Sequence, residues 1–200
     1  MKKLLIFGDS FADRDHLPSD YQWVRLLEKH FKVENYARAG TGPQWSLNLL
    51  LERISKIKSN SNLLFIESHP SRVNLQKYKD LQEQANINFD PDEVQKVIIR
   101  ELLTDEFIDL EHLKFLGAVN ALSYKFEKVM YWPLEINKTH SKTKLNHNVT
   151  VVSPGLRTIS LDEGYRFIRR TGPDTRTNHL NQDNHTMIYK KILNWMEQGT

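Results

Sequence analysis

A hydroxyl stands directly behind a short apolar segment at the start of the chain, where Leu4-Leu5-Ile6-Phe7 runs into Gly8-Asp9-Ser10. Consecutive apolar residues suit a strand covered on both faces, and glycine permits the sharp turn that ends it. Ser10 is therefore expected at the C-terminal end of a strand. In an open parallel α/β sheet that edge is where binding crevices form, and a helix starting just after it would aim N–H groups at a developing negative charge. A serine hydroxyl is a poor nucleophile at neutral pH. It needs an imidazole to take its proton, and the imidazole needs an acceptor on its other nitrogen to fix the tautomer. The bland alternative is that Asp9 or Ser10 only caps the next helix.

Two other stretches carry chemistry-bearing residues. Arg38-Ala39-Gly40-Thr41-Gly42-Pro43 sets two glycines and a proline in a loop leading into a helix, a pattern that turn chemistry alone explains. His179-Leu180-Asn181-Gln182-Asp183-Asn184-His185 holds two histidines six positions apart. Helical zinc motifs space their histidines by four, and no convincing carboxylate ligand accompanies this pair, so no metal is expected. The absence of cysteine excludes a disulfide framework, a thiolate zinc site and a cysteine nucleophile. No Gly-x-Gly-x-x-Gly or Gly-Lys-Ser/Thr phosphate loop follows any strand pattern, which argues against a flavodoxin-like nucleotide binder; no cofactor is expected.

The elements that must position these residues alternate along the chain. After the first strand (residues 3 to 8), Trp23, Val24, Leu27 and Phe31 recur at helical spacing behind Ser19-Asp20, and the alternating stretch Phe31 to Ala37 reads as a strand nearer a sheet edge. Leu47, Leu50, Leu51, Ile54 and Ile57 form the apolar face of the next helix. Asn62 to Glu67 is a third strand, Lys128 to Trp132 a fourth and Val149 to Val152 a fifth. Between the third and fourth, Asp90-Pro91 begins one helix, and Asp105 caps another with a face of Phe107, Leu110, Leu113 and Leu116. A last helix shows Ile188, Ile192, Trp195 and Met196 on one face. The polar stretches 75 to 90 and 133 to 148 are loops able to set specificity. This alternation predicts a single three-layer α/β/α domain over residues 1–200, with a mainly parallel sheet of about five strands in flavodoxin-like order 2-1-3-4-5 and the first strand central.

Composition agrees with a globular enzyme-sized domain: 39% hydrophobic, 26% charged and 10% aromatic residues. The formal net charge of +3 comes from 28 basic and 25 acidic residues, mixed rather than patched, so nucleic acid is not an expected partner. Met1-Lys2-Lys3 and the apolar run behind it imitate a signal peptide, but Asp9 ends the run early, and a cytoplasmic location is expected. No apolar segment approaches the roughly 20 residues of a membrane span.

Gly8-Asp9-Ser10 after the first strand, Gly40 after the second, and His179-Leu180-Asn181 with His185 before the last helix together resemble the SGNH/GDSL hydrolase family in order and spacing. The resemblance implies a nucleophile at Ser10, a general base at His179, and oxyanion donors at the Ser10 and Gly40 backbone N–H groups. It also implies an Asp three residues before the base; Arg176 stands there, and Asp174 is the nearest substitute, favoured over Asp183 and Asp162. The family's Gly-x-Asn-Asp block is replaced by Ser68-His69-Pro70-Ser71, with Pro70, which has no N–H, at the Asn position; His69, Ser71 and Arg72 are replacement donor candidates. The activity implied is hydrolysis of an acyl or acetyl ester of a small molecule or carbohydrate, with an acyltransferase or a catalytically weak SGNH-like binding module as alternatives. Substrate identity and oligomeric state are not legible.

Overall fold

The computed structural model describes residues 1–14, 20–68, 104–134, 143–160 and 180–198. Five parallel strands form one sheet: β1 (Lys3–Phe7), β2 (Lys32–Asn35), β3 (Ser61–Ile66), β4 (Val129–Trp132) and β5 (Val149–Val151), in the order β2-β1-β3-β4-β5. The expected order and the central place of β1 are both observed. β1 pairs Leu4 with Val33 on one side and with Asn62 on the other. Its side chains alternate between two cores, Leu4 and Ile6 facing one and Leu5 and Phe7 the other, as the uninterrupted apolar run requires.

Helices cover both faces. The first core is closed by α1 (Trp23–Glu28), α4 (Leu156–Ser160) and α5 (Gln182–Glu197), through Trp23, Val24, Leu27, Leu156, Ile188, Ile192, Trp195 and Met196. The second is closed by α2 (Pro43–Arg53) and α3 (Asp105–Leu122), through Leu47, Leu50, Phe115, Leu116 and Val119. Each such buried side chain contributes about 1.5–3 kcal/mol relative to exposure, which is why these stripes fix the layers. The result is a single α/β domain in three layers.

Several local expectations are corrected. After Ser10 the Ala12 and Asp13 amides both donate to the Asp9 carbonyl, closing a turn, and α1 starts at Trp23. The N-cap of α1 is Gln22 rather than Ser19 or Asp20, that of α3 is Thr104, whose side chain accepts from the Phe107 N–H, and that of α5 is Asn181. Leu51 of α2 is exposed. The buried stripe of α3 is His112, Phe115, Leu116 and Val119, while Leu110 and Leu113 face outward. A repeat of exactly three residues slips about 60° around a helix at each step, so 107, 110, 113 and 116 cannot share one face; the true stripe alternates steps of three and one. The helix expected at Asp90-Pro91 and the loop at 75 to 90 lie outside the described residues.

Candidate active site

Ser10 is partly exposed at the C-terminal edge of the sheet, on the turn that ends the central strand. The turn is built by its neighbours. Asp9 is buried; its Oδ1 accepts the Phe11 N–H at 3.1 Å, so this carboxylate folds the turn locally and caps no helix. Gly8, just past β1, lies close against β3: a Cβ there would stand 2.8 Å from the Ile66 Cβ, inside any real contact. Glycine is required at this position by the close approach of the two strands.

The Gly40 loop arrives at the same edge and is fastened to the serine turn. Ala39 N–H donates to Asp13 Oδ2 at 2.7 Å, and Arg38 N–H donates to the Gly8 carbonyl at 3.1 Å. Ser46 Oγ, from α2, donates to that same carbonyl at 3.3 Å. Gly40 itself has φ +80°, the left-handed region that side-chain-bearing residues rarely adopt, and an added Cβ would meet nothing within 4 Å. Backbone conformation rather than space therefore selects glycine here. On the other side of the turn, Gln22 Nε2 donates to the Asp13 carbonyl, Trp23 Nε1 to the Phe11 carbonyl and Asn35 Nδ2 to the Ala12 carbonyl.

At the end of β3, two positions along, a second acidic residue closes an apolar strand. Glu67 is fully buried, and its Oε1 lies 2.5 Å from Nδ1 of His112, itself buried in the stripe of α3. Burial pushes the Glu67 carboxyl above its ordinary value, against the His112 hydrogen bond that pulls it down. Tyr131 of β4 interacts with the same carboxyl, and burial drives its hydroxyl well above the usual tyrosine range. Ser68, the next residue, donates from Oγ to the Thr41 carbonyl at 3.3 Å, tying the end of β3 to the Gly40 loop.

The structure thus brings Ser10 and the Gly40 loop to one sheet edge. His179 and Asp174 lie outside the described residues, as do His69, Pro70, Ser71 and Arg72. Leu180, which follows His179 in sequence, is buried in the first core, and Asn181 caps α5 in a reciprocal pair with Asn184, whose side chain also reaches the Ile159 carbonyl. The second histidine of this stretch has a structural position: His185 is buried, with Nδ1 3.5 Å from the Trp23 N–H and its ring against Tyr21. Asp183 lies in the first turn of α5, beyond the cap. Sequence reasoning missed Asp13, Ser68 and the Glu67–His112 pair. The available signal for the pair was a carboxylate ending an apolar strand, the same grammar as Phe7-Gly8-Asp9, and a histidine inside an apolar helical stripe.

Among the described residues no group of histidines and carboxylates is arranged to hold a metal ion, and no helix is long and apolar enough to cross a membrane. No protein-family model matches the sequence, and no curated protein does. Solved structures do match over nearly the whole chain. The psychrotrophic esterase EstA from Pseudoalteromonas sp. is 12% identical, covering 99% of this chain and 100% of the other, with a TM-score of 0.51. A member of the lipolytic protein G-D-S-L family from Veillonella parvula is 12% identical over 99% and 100% of the two chains, with a TM-score of 0.55. Axe2, an acetylxylan esterase from Geobacillus stearothermophilus, is 12% identical over 99% and 95%, with a TM-score of 0.51. With its five parallel strands in the order 2-1-3-4-5 and its serine turn after the central one, the chain has the SGNH hydrolase fold.

Proposed function

We propose that the protein is a serine ester hydrolase acting on an acyl or acetyl ester of a small molecule or carbohydrate. The observation that carries this reading is the joint placement of Ser10 and the Gly40 loop, held together through Asp13 and Ala39 at the C-terminal edge of the central strand. That edge is where doubly wound folds bind ligands. The esterases and lipases that share the fold support the same class of reaction.

In the proposed reaction Ser10 Oγ attacks the ester carbonyl carbon while His179 takes its proton. The Ser10 and Gly40 N–H groups receive the negative charge that develops on the carbonyl oxygen. The tetrahedral intermediate expels the alcohol, protonated by the imidazolium, and leaves an acyl group on Ser10. A water molecule, deprotonated by His179, then attacks the acyl carbon; the resulting tetrahedral intermediate breaks its bond to Ser10 Oγ, which takes the proton back from the imidazolium, and the acid leaves. Asp174 accepts from the other imidazole nitrogen and fixes the tautomer.

The test is labelling with a serine-reactive fluorophosphonate, alongside p-nitrophenyl acetate hydrolysis, for the native protein and Ser10→Ala. Loss of the nucleophile from a serine triad costs on the order of a million-fold in kcat, so the variant is expected to neither label nor turn over, at unchanged thermal stability. Equal turnover in the variant removes Ser10 as nucleophile. A folded native protein that neither labels nor hydrolyses shifts the reading to a binding module, a possibility raised by Arg176 and Pro70 at two family positions.

A further inference from the structure

The Glu67–His112 pair is the one buried ionisable cluster among the described residues that the proposed reaction does not use. It lies on the side of the sheet that carries the second core. Phe65 and Tyr131 stack at 5.8 Å on the same face of the sheet, and Phe115 and Leu116 follow His112 along α3. A buried ion pair or proton-sharing pair is poor evidence for stability, because apolar residues of the same shape fill such a site as well or better. What it supplies is a fixed geometry: the Glu67–His112 contact is made only when the end of β3 and α3 keep one arrangement. His112 from α3 and Tyr131 from β4 act directly on the Glu67 carboxyl, and Glu111 from α3 acts on it by charge.

The position of the pair matters more than its chemistry. Glu67 N–H donates to the Trp132 carbonyl, extending the pairing of β3 with β4 by one residue beyond the strand proper. Ser68 is therefore held from one side by a clamped neighbour, and its hydroxyl reaches the Thr41 carbonyl, one residue from Gly40. The Gly40 loop is tied to β1 through Gly8 and Asp13 on one flank and to β3 through Ser68 on the other.

We infer that Glu67 and His112 are positioning residues for the oxyanion side of the site, fixing the end of β3 so that Ser68 holds the Gly40 loop at a set distance from Ser10. The inference rests on the serine hydrolase reading for its catalytic meaning, and on the Ser68–Thr41 contact for its structural one. A donor displaced by about 1 Å from a reacting group costs about 100-fold in rate.

The experiment compares His112→Leu, His112→Asn and Ser68→Ala with the native protein. Asn presents an amide N–H near the position of Nδ1 and is the conservative replacement. Two readouts are taken: hydrogen exchange at the Ala39 and Thr41 amides, both hydrogen-bonded in the structure, and kcat and KM on p-nitrophenyl acetate. His112→Leu and Ser68→Ala are expected to speed exchange at both amides by about tenfold or more while the Val129 amide in β4 is unchanged. In an active enzyme kcat falls by about 100-fold at unchanged KM, and His112→Asn recovers most of both losses. Unchanged exchange in Ser68→Ala overturns the inference, whether or not His112→Leu folds. A native protein without esterase activity removes the serine hydrolase reading, and the exchange measurement still decides whether the pair holds the loop.

Discussion

Both edges of the sheet spend polar side chains on backbone carbonyls, but they differ in what stands beside those bonds. At the N-terminal edge, side chains are spent on backbone carbonyls that helices and turns leave over. Lys2 Nζ donates to the Met196 carbonyl, and Lys128 Nζ donates to the Trp195 and Gln198 carbonyls at the C-terminus of α5. Asn148 Nδ2 serves both the Ser123 and Phe126 carbonyls, and Asn146 Nδ2 serves the Asn120 carbonyl and Ser123 Oγ. At the C-terminal edge, glycines stand where a strand passes closely or φ is positive, a carboxyl is buried against a histidine, and the serine is partly exposed. One edge closes the fold, and the other holds the groups assigned to the proposed reaction. Substitutions at the two should therefore separate stability from activity.

The largest separation is expected in the proposed triad. Asp174→Asn, by removing the carboxylate assigned to orient His179, should lower kcat by about 10,000-fold, whereas Asp183→Asn, in the first turn of α5 beyond the Asn181 cap, should leave kcat within a factor of two or so. Steady-state hydrolysis at matched thermal stability distinguishes them. Full activity in Asp174→Asn would mean a serine–histidine dyad.

A substitution at Gly8 should break the separation instead of sharpening it. Gly8→Ala forces a methyl group against the Ile66 Cβ and should cost about 1–3 kcal/mol in urea unfolding, together with a fall in kcat, because the strand gap and the serine turn move together. A stability loss without a kcat change would show the turn to be independent of the gap. At the other edge Asn148→Ala strips one donor from two carbonyls and should cost about 1–3 kcal/mol with kcat unchanged.

The smallest effect concerns pH. Because burial raises the Glu67 carboxyl above its ordinary 4.5, the folded state binds this proton more tightly than the unfolded state. The resulting stabilisation is complete below pH 4.5 and is lost as pH rises through the folded value. Glu67→Gln should therefore gain stability relative to the native protein as pH is raised from 4.5 toward neutrality, read as the difference between their urea unfolding free energies at each pH. A pH-independent difference would mean that the carboxyl does not titrate in this window.

What was legible in the sequence follows the same division. The sheet order and the central strand could be read because an unbroken apolar run is a strong sign of burial on both faces, and α5 because Ile188, Ile192, Trp195 and Met196 follow one another by steps of four, three and one, which keep to one helix face. The face of α3 is misread because the evenly spaced Phe107, Leu110, Leu113 and Leu116 outnumber the signal of a histidine in the true stripe. At the C-terminal edge, Ser10 and Gly40 are visible as turn residues. Asp13, Ser68 and His112 were not, since each acts on a residue far along the chain and local pattern carries no trace of that partner.

The closeness of Gly8 to Ile66 bears on how such a site can be transplanted. A serine turn is often pictured as a loop motif that any parallel sheet could accept, but here its first residue is matched to the side chain of the adjacent strand, so the unit to be grafted is the turn with Ile66 and the local strand spacing. A host sheet with a bulkier residue at the Ile66 position would have to spread its strands to take the turn, and would present the hydroxyl from a different height above the sheet.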